Sequence, residues 1–64
     1  MKAYRLTYNG LRGFDYTGFD TKTDALRFVK EQTQYGLIYP LELMKYDPVT
    51  DVYKVIGKFS KEGR

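Results

Sequence analysis

The residues best spaced for chemistry are aspartates. Asp15, Asp20 and Asp24 follow one another at intervals of five and four, and Asp47 and Asp51 bracket a turn. Two-carboxylate hydrolysis or a hard-cation site needs such groups converging within a few ångströms. Asp24 and Asp47, however, stand where helix caps and turns use aspartate structurally. The segment from Asp47 to Asp51 also lacks the glycine and the terminal glutamate of a calcium loop. The glycines fit neither a dinucleotide fingerprint nor a phosphate loop. Ser60 has no base to activate it, because the chain contains no histidine, and with no cysteine either it lacks the thiolate nucleophile and the soft metal ligands as well. The sequence therefore predicts a non-enzyme, with no catalytic residue, no metal and no cofactor.

Seven tyrosines and four phenylalanines among 64 residues point instead to contact surfaces. A chain of this length has room for one core, and without disulfides or zinc the stabilisation must come from that core or from a second copy, which leaves a homodimer open. Eleven Lys and Arg against eight Asp and Glu give a formal charge of +3, mild for a protein that lives on phosphate contacts. No apolar run approaches the length of a membrane span, and no signal-type core follows Lys2, so the expected setting is cytoplasmic, with no membrane partner.

The elements that would position these side chains follow from periodicity. From Lys2 to Tyr8 the pattern alternates, with Tyr4, Leu6 and Tyr8 on one face and Ala3, Arg5 and Thr7 on the other. Asn9-Gly10 is the strongest short hairpin signal, and it predicts a turn there and a second strand over 11–16. Thr21 and Asp24 have the spacing of a helix cap, and Gly36 stands where a left-handed C-terminal residue is wanted. Between them Ala25, Leu26, Phe28, Val29, Gln32 and Thr33 share one arc, opposite Arg27, Lys30, Glu31 and Gln34. Pro40 to Tyr46 and Val52 to Phe59 read as strands joined by the Asp47-Pro48 turn. The expectation is an α+β domain over 1–64 with element order ββαββ: a small antiparallel sheet, one helix on one face, and a frayed tail at 60–64. The predicted core is Tyr4, Leu6, Tyr8, Phe19, Ala25, Leu26, Val29, Leu41, Leu43, Val55 and Phe59.

The segment Gly18-Phe19-Asp20-Thr21-Lys22-Thr23-Asp24-Ala25-Leu26-Arg27-Phe28 is similar to the step into the helix of the arm-DNA-binding domains of tyrosine recombinases. Those domains place three strands before the helix, whereas this chain offers two before and two after. The likeness marks the start of the helix and implies no DNA-contacting residue in this chain. In size and style the chain also resembles small inhibitors encoded by phages.

If Leu41, Leu43 and Val55 define the inside, then Met44, Tyr46, Lys54, Ile56 and Lys58 point outward and Arg5 and Thr7 join them. A mixed face of this kind is also what a small sheet shows to water when nothing binds it. Its residue types are nevertheless those of interfaces. The functional expectation is a non-enzymatic interaction module, of the kind a phage or mobile element encodes, that binds a macromolecular partner through Arg5, Met44, Tyr46, Lys54, Ile56 and Lys58. A protein partner is favoured. The alternative is a small nucleic-acid-binding domain, with Lys2, Arg5, Arg12, Lys54, Lys58 and Lys61 on phosphates and tyrosines stacking on bases.

Overall fold

The computed structural model describes residues 2–59, so the expected tail at 60–64, with Ser60 and Lys61, lies outside the described residues. The elements are β1 (Tyr4–Gly10), β2 (Gly13–Phe19), α1 (Lys22–Gln34), β3 (Tyr39–Asp47) and β4 (Val52–Lys58). They form the small α+β fold that the periodicity predicts. All neighbouring strands run antiparallel, in the order β2-β1-β3-β4. The first strand of the chain is thus interior, bonded to β2 on one side and to β3 on the other.

The first hairpin departs from expectation by two residues. Asn9 pairs with Phe14 and Gly10 with Gly13, which leaves Leu11 and Arg12 as the loop. The positive φ that such a turn needs falls on Gly13, at 110°, and neither Asn9 nor Gly10 carries it. Extension has a physical reason: Asn9 also pairs with Tyr39 across β3, so each added residue of β1 is bonded on both sides. The shift is an even number of residues, so Tyr4, Leu6 and Tyr8 keep their common face.

Helix α1 is closed at both ends by side-chain and backbone caps. The Thr21 hydroxyl accepts from the Asp24 amide at 3.1 Å. At the other end Gly36 (φ 68°) donates to the Thr33 carbonyl and Leu37 to that of Gln32, each at 3.0 Å, which is the paired bonding of a Schellman motif.

The helix packs over β1, β2 and β3. Beneath it Leu6 and Leu43 face one another across the β1–β3 ladder, and both are buried with Ala25. Phe28 reaches from the helix to Tyr8 (5.7 Å between centroids) and Phe19 (5.3 Å), and the hydroxyls of Tyr8 and Thr17 share a hydrogen bond of 2.9 Å. Ile38, in the connection after the helix, is also buried and was not among the expected core residues, because no periodicity extends across a linker. Leu26 and Val55 leave the expected core: Leu26 is 42% exposed and Val55 43%.

Two register shifts shape the ladder. Thr7 faces Glu42 while Tyr8 faces Pro40, so Leu41 is an extra residue of β3. Met44 faces Val55 while Leu43 faces Gly57, so Ile56 is an extra residue of β4. Pro40, which has no N–H to give, sits beside the first shift.

Candidate interaction face

The face of the sheet turned away from the helix is built by alternation from β1 outward. Arg5 and Thr7 lie on it because Leu6 lies beneath the helix. The register then brings Met44 opposite Arg5, Glu42 opposite Thr7, Val55 opposite Met44 and Lys58 opposite Glu42. On β2 the same parity exposes Phe14 and Tyr16, 66% and 55% accessible.

The centre of this face is a cation held between two rings. The Arg5 guanidinium carbon lies 4.6 Å from the centroid of Tyr16 and 4.1 Å from that of Tyr53. Each exposed contact of this kind contributes about 0.5–1 kcal/mol, because the ring quadrupole presents its negative face to the charge. Among the described residues no carboxylate or carbonyl accepts from this guanidinium. Its N–H groups are therefore held in place by stacking and still have hydrogen bonds to give.

The tyrosines beside it are fixed as well. Tyr46 meets Tyr53 edge-on at 5.6 Å, the Tyr53 hydroxyl donates to the Lys2 carbonyl at 2.6 Å, and the Tyr46 hydroxyl donates to the Asp51 carboxylate. That bond, with some desolvation and the nearby Tyr53 and Asp47, holds the Tyr46 phenol above its ordinary range. Thr7 is buried and its hydroxyl both donates to the Glu42 carbonyl (3.3 Å) and accepts from the Glu42 amide (3.1 Å), pinning the sheet next to the register shift. At the other margin the Lys2 side chain crosses Gly18 so closely that a Cβ there would stand 2.8 Å from Lys2 Cγ, and its ammonium pairs with Asp20 at 3.2 Å.

Of the six residues expected on one face, the structure brings four together: Arg5, Met44, Tyr46 and Lys58. Lys54 and Ile56 are corrected to the helix side. Lys54 pairs with Lys45 and bonds Asp47 at 2.9 Å, on the side opposite Tyr53. Ile56 follows Lys54 by alternation, and with Lys45, Tyr46 and Lys54 it lines a shallow groove at the β4 margin of the sheet. The cause is the extra residue at Ile56. Uniform alternation puts 54, 56 and 58 on one face, but the shift inserts a residue, and Lys58 alone returns to the open side. For the same reason Val55, expected inside, is outside. Phe14, Tyr16 and Tyr53 are members of this face that the sequence reading missed. Parity in β2 could have found the first two, since a hairpin set two residues early still puts Phe14 and Tyr16 on the face of Arg5.

The aspartates do structural work. Asp15 accepts from the Tyr16 amide at 2.7 Å, Asp24 pairs with Arg27 at 3.5 Å, and Asp47 accepts from both the Val49 amide and Lys54. The Lys54 and Val49 bonds hold the Asp47 carboxyl below the usual carboxylate range. Among the described residues no three metal-ligating side chains cluster, and no helix is long and apolar enough to cross a membrane.

No protein-family model, curated protein or solved structure matches this chain.

Proposed function

We propose that this chain is a non-enzymatic interaction module that binds a protein partner through the open sheet face, with Arg5, Tyr16 and Tyr53 at its centre and Phe14, Met44 and Tyr46 around them. The observation that carries this reading is the stacked Arg5 guanidinium, whose donors find no acceptor among the described residues. A pre-positioned arginine flanked by tyrosines is the composition of an interface centre, and it loses little side-chain freedom on binding because stacking already restrains it.

The distribution of charge favours protein over nucleic acid. Binding a phosphate backbone needs several cations along one track. On the open face Lys58 stands opposite Glu42, while Lys45 and Lys54 lie on the other side and Lys2 is taken up by Asp20. Arg5 is left as the central cation.

The test is capture from a lysate of the source cell with the tagged chain, before and after nuclease treatment, beside Arg5→Ala and Tyr16→Ala variants whose folding is verified by circular dichroism. The reading expects proteins that survive nuclease and are lost with either variant. Retention of the same proteins by both variants would retire the face. Loss on nuclease treatment, with retardation of single-stranded DNA or RNA at low salt, would put the nucleic-acid alternative in its place.

A further inference from the structure

The two edges of the sheet are protected to different degrees. Edge strand β4 carries an extra residue at Ile56, with Lys54 and Lys58 beside it, which are features that discourage strand addition. Edge strand β2 has none of these: its ladder with β1 runs without a shift from Gly13 to Phe19, and the segment contains no lysine, arginine or proline. The Asp15 carboxylate covers the Tyr16 amide, and this bond also shows which way the strand faces. Since the Tyr16 N–H points away from β1, the N–H and C=O groups of Phe14, Tyr16 and Gly18 all point outward.

We infer that β2 pairs antiparallel with β2 of a second copy of this chain, about a two-fold axis through Tyr16. The register is dictated by the strand itself. Centring on Tyr16 sets Phe14 against Gly18 of the other copy and Gly18 against Phe14, which engages every outward amide and carbonyl of the edge; any other register leaves some unpaired. The side chains agree. Tyr16 meets its own copy, and the other two aromatics each meet a glycine, Phe14 with Gly18 and Phe19 with Gly13, so that no two bulky side chains other than the central tyrosines are set against each other. The Lys2 methylenes already lying over Gly18 give the incoming Phe14 ring an apolar floor. Asp15 falls opposite the Thr17 hydroxyl, which can donate to it when its carboxylate leaves the Tyr16 amide. At each end Arg12 falls opposite Asp20, a carboxylate it would share with the Lys2 already beside it, and this charge complement is repeated by symmetry.

Pairing of this kind joins two sheets into one, with both helices on one side and both open faces on the other. The contact is smaller than the ~1,200–2,000 Å² of stable complexes, so association is expected at micromolar concentrations or above. The inference does not depend on the partner proposed for the open face.

Sedimentation velocity of the full chain over about 10 μM to 1 mM, the range in which a contact below standard size associates, reads it directly. The expected result is a concentration-dependent doubling of mass. Tyr16→Pro removes one outward N–H without touching the bonds to β1 and should leave a monomer. Arg12→Glu and Asp20→Lys should each weaken the dimer several-fold, and the double exchange should restore it. Because the chain has no cysteine, register is read by oxidation: Tyr16→Cys should cross-link rapidly to its own copy, at the 5.5 Å Cα separation typical of a bonded pair, and Phe14→Cys slowly. A wild-type chain that stays monomeric to the top of the range overturns the inference. So does a dimer indifferent to Tyr16→Pro and the charge exchange, or equal cross-linking of the two cysteine variants.

Discussion

On the helix side of the sheet, Phe28 reaches down to Tyr8 and Phe19 and the leucines Leu6 and Leu43 are buried, whereas on the open side Tyr16 and Tyr53 close on the Arg5 guanidinium. Both faces carry aromatic rings. On one the rings are held by removal of apolar area, a term of about 25 cal/mol per Å² that acts in every direction. On the other they are held by a charge against a quadrupole, which is directional and remains in contact with solvent. Stability is therefore concentrated under the helix, and the open face is free to be specified by what it touches.

The comparison breaks most visibly when one alanine is placed on each face. Leu43→Ala, at a site 3% exposed, should cost about 2–5 kcal/mol, while Val55→Ala, 43% exposed and on the opposite side, should cost less than about 1 kcal/mol. Urea denaturation of the two variants measures the difference, and equal losses would mean that both faces contribute to the core alike. Next in size is the helix that creates the asymmetry. Thr21→Ala, which removes the hydroxyl acceptor of the Asp24 amide, should cost about 1 kcal/mol by the same assay.

Arg5→Ala should cost about 1 kcal/mol, the low end of two exposed cation–ring contacts taken together, and Arg5→Lys should recover only part because an ammonium does not stack between two rings. An Arg5→Ala loss as large as that of Leu43→Ala would refute the division of labour proposed for the faces. The smallest effect lies at the edge of the open face. The Tyr46 phenol should titrate above its ordinary range in absorbance at 295 nm, and Asp51→Asn should lower its midpoint, since the Asp51 carboxylate is the leading cause of the rise. The sign follows from proton binding. The folded chain holds this proton more tightly than the unfolded one, so the contribution is full below the unfolded pKa of about 10 and is lost as pH rises through the folded value.

Element order, the Thr21 cap and the Gly36 closure were legible in the sequence because each is a local matter of bonding or backbone angle. The inward set Tyr4, Leu6 and Tyr8 was legible for a similar reason, since alternation needs only the strand itself. Strand order was not, because nothing within β1 tells that it will be bonded on both sides. The hairpin was misplaced because the turn preference of Asn9-Gly10 is a local term, and it is overruled by rungs that Asn9 makes with both β2 and β3. The shift at Ile56 was invisible for the same kind of reason: an extra residue in one strand is defined only against its neighbour. That single residue moved Lys54 and Ile56 off the expected face and brought Val55 onto it.

The interior position of β1 bears on how the chain is made. Its bonds to β2 close over a short loop, but the bonds of Thr7 to Glu42 span 35 residues, so a nascent chain emerging from a ribosome must be synthesised past the helix before the central rungs can form. Until then β1 and β2 are a lone hairpin, a marginal structure in water, with Leu6 uncovered. Strand β1 is thus made before its partners yet secured only after them, and its apolar stripe is the segment a chaperone would have most reason to hold.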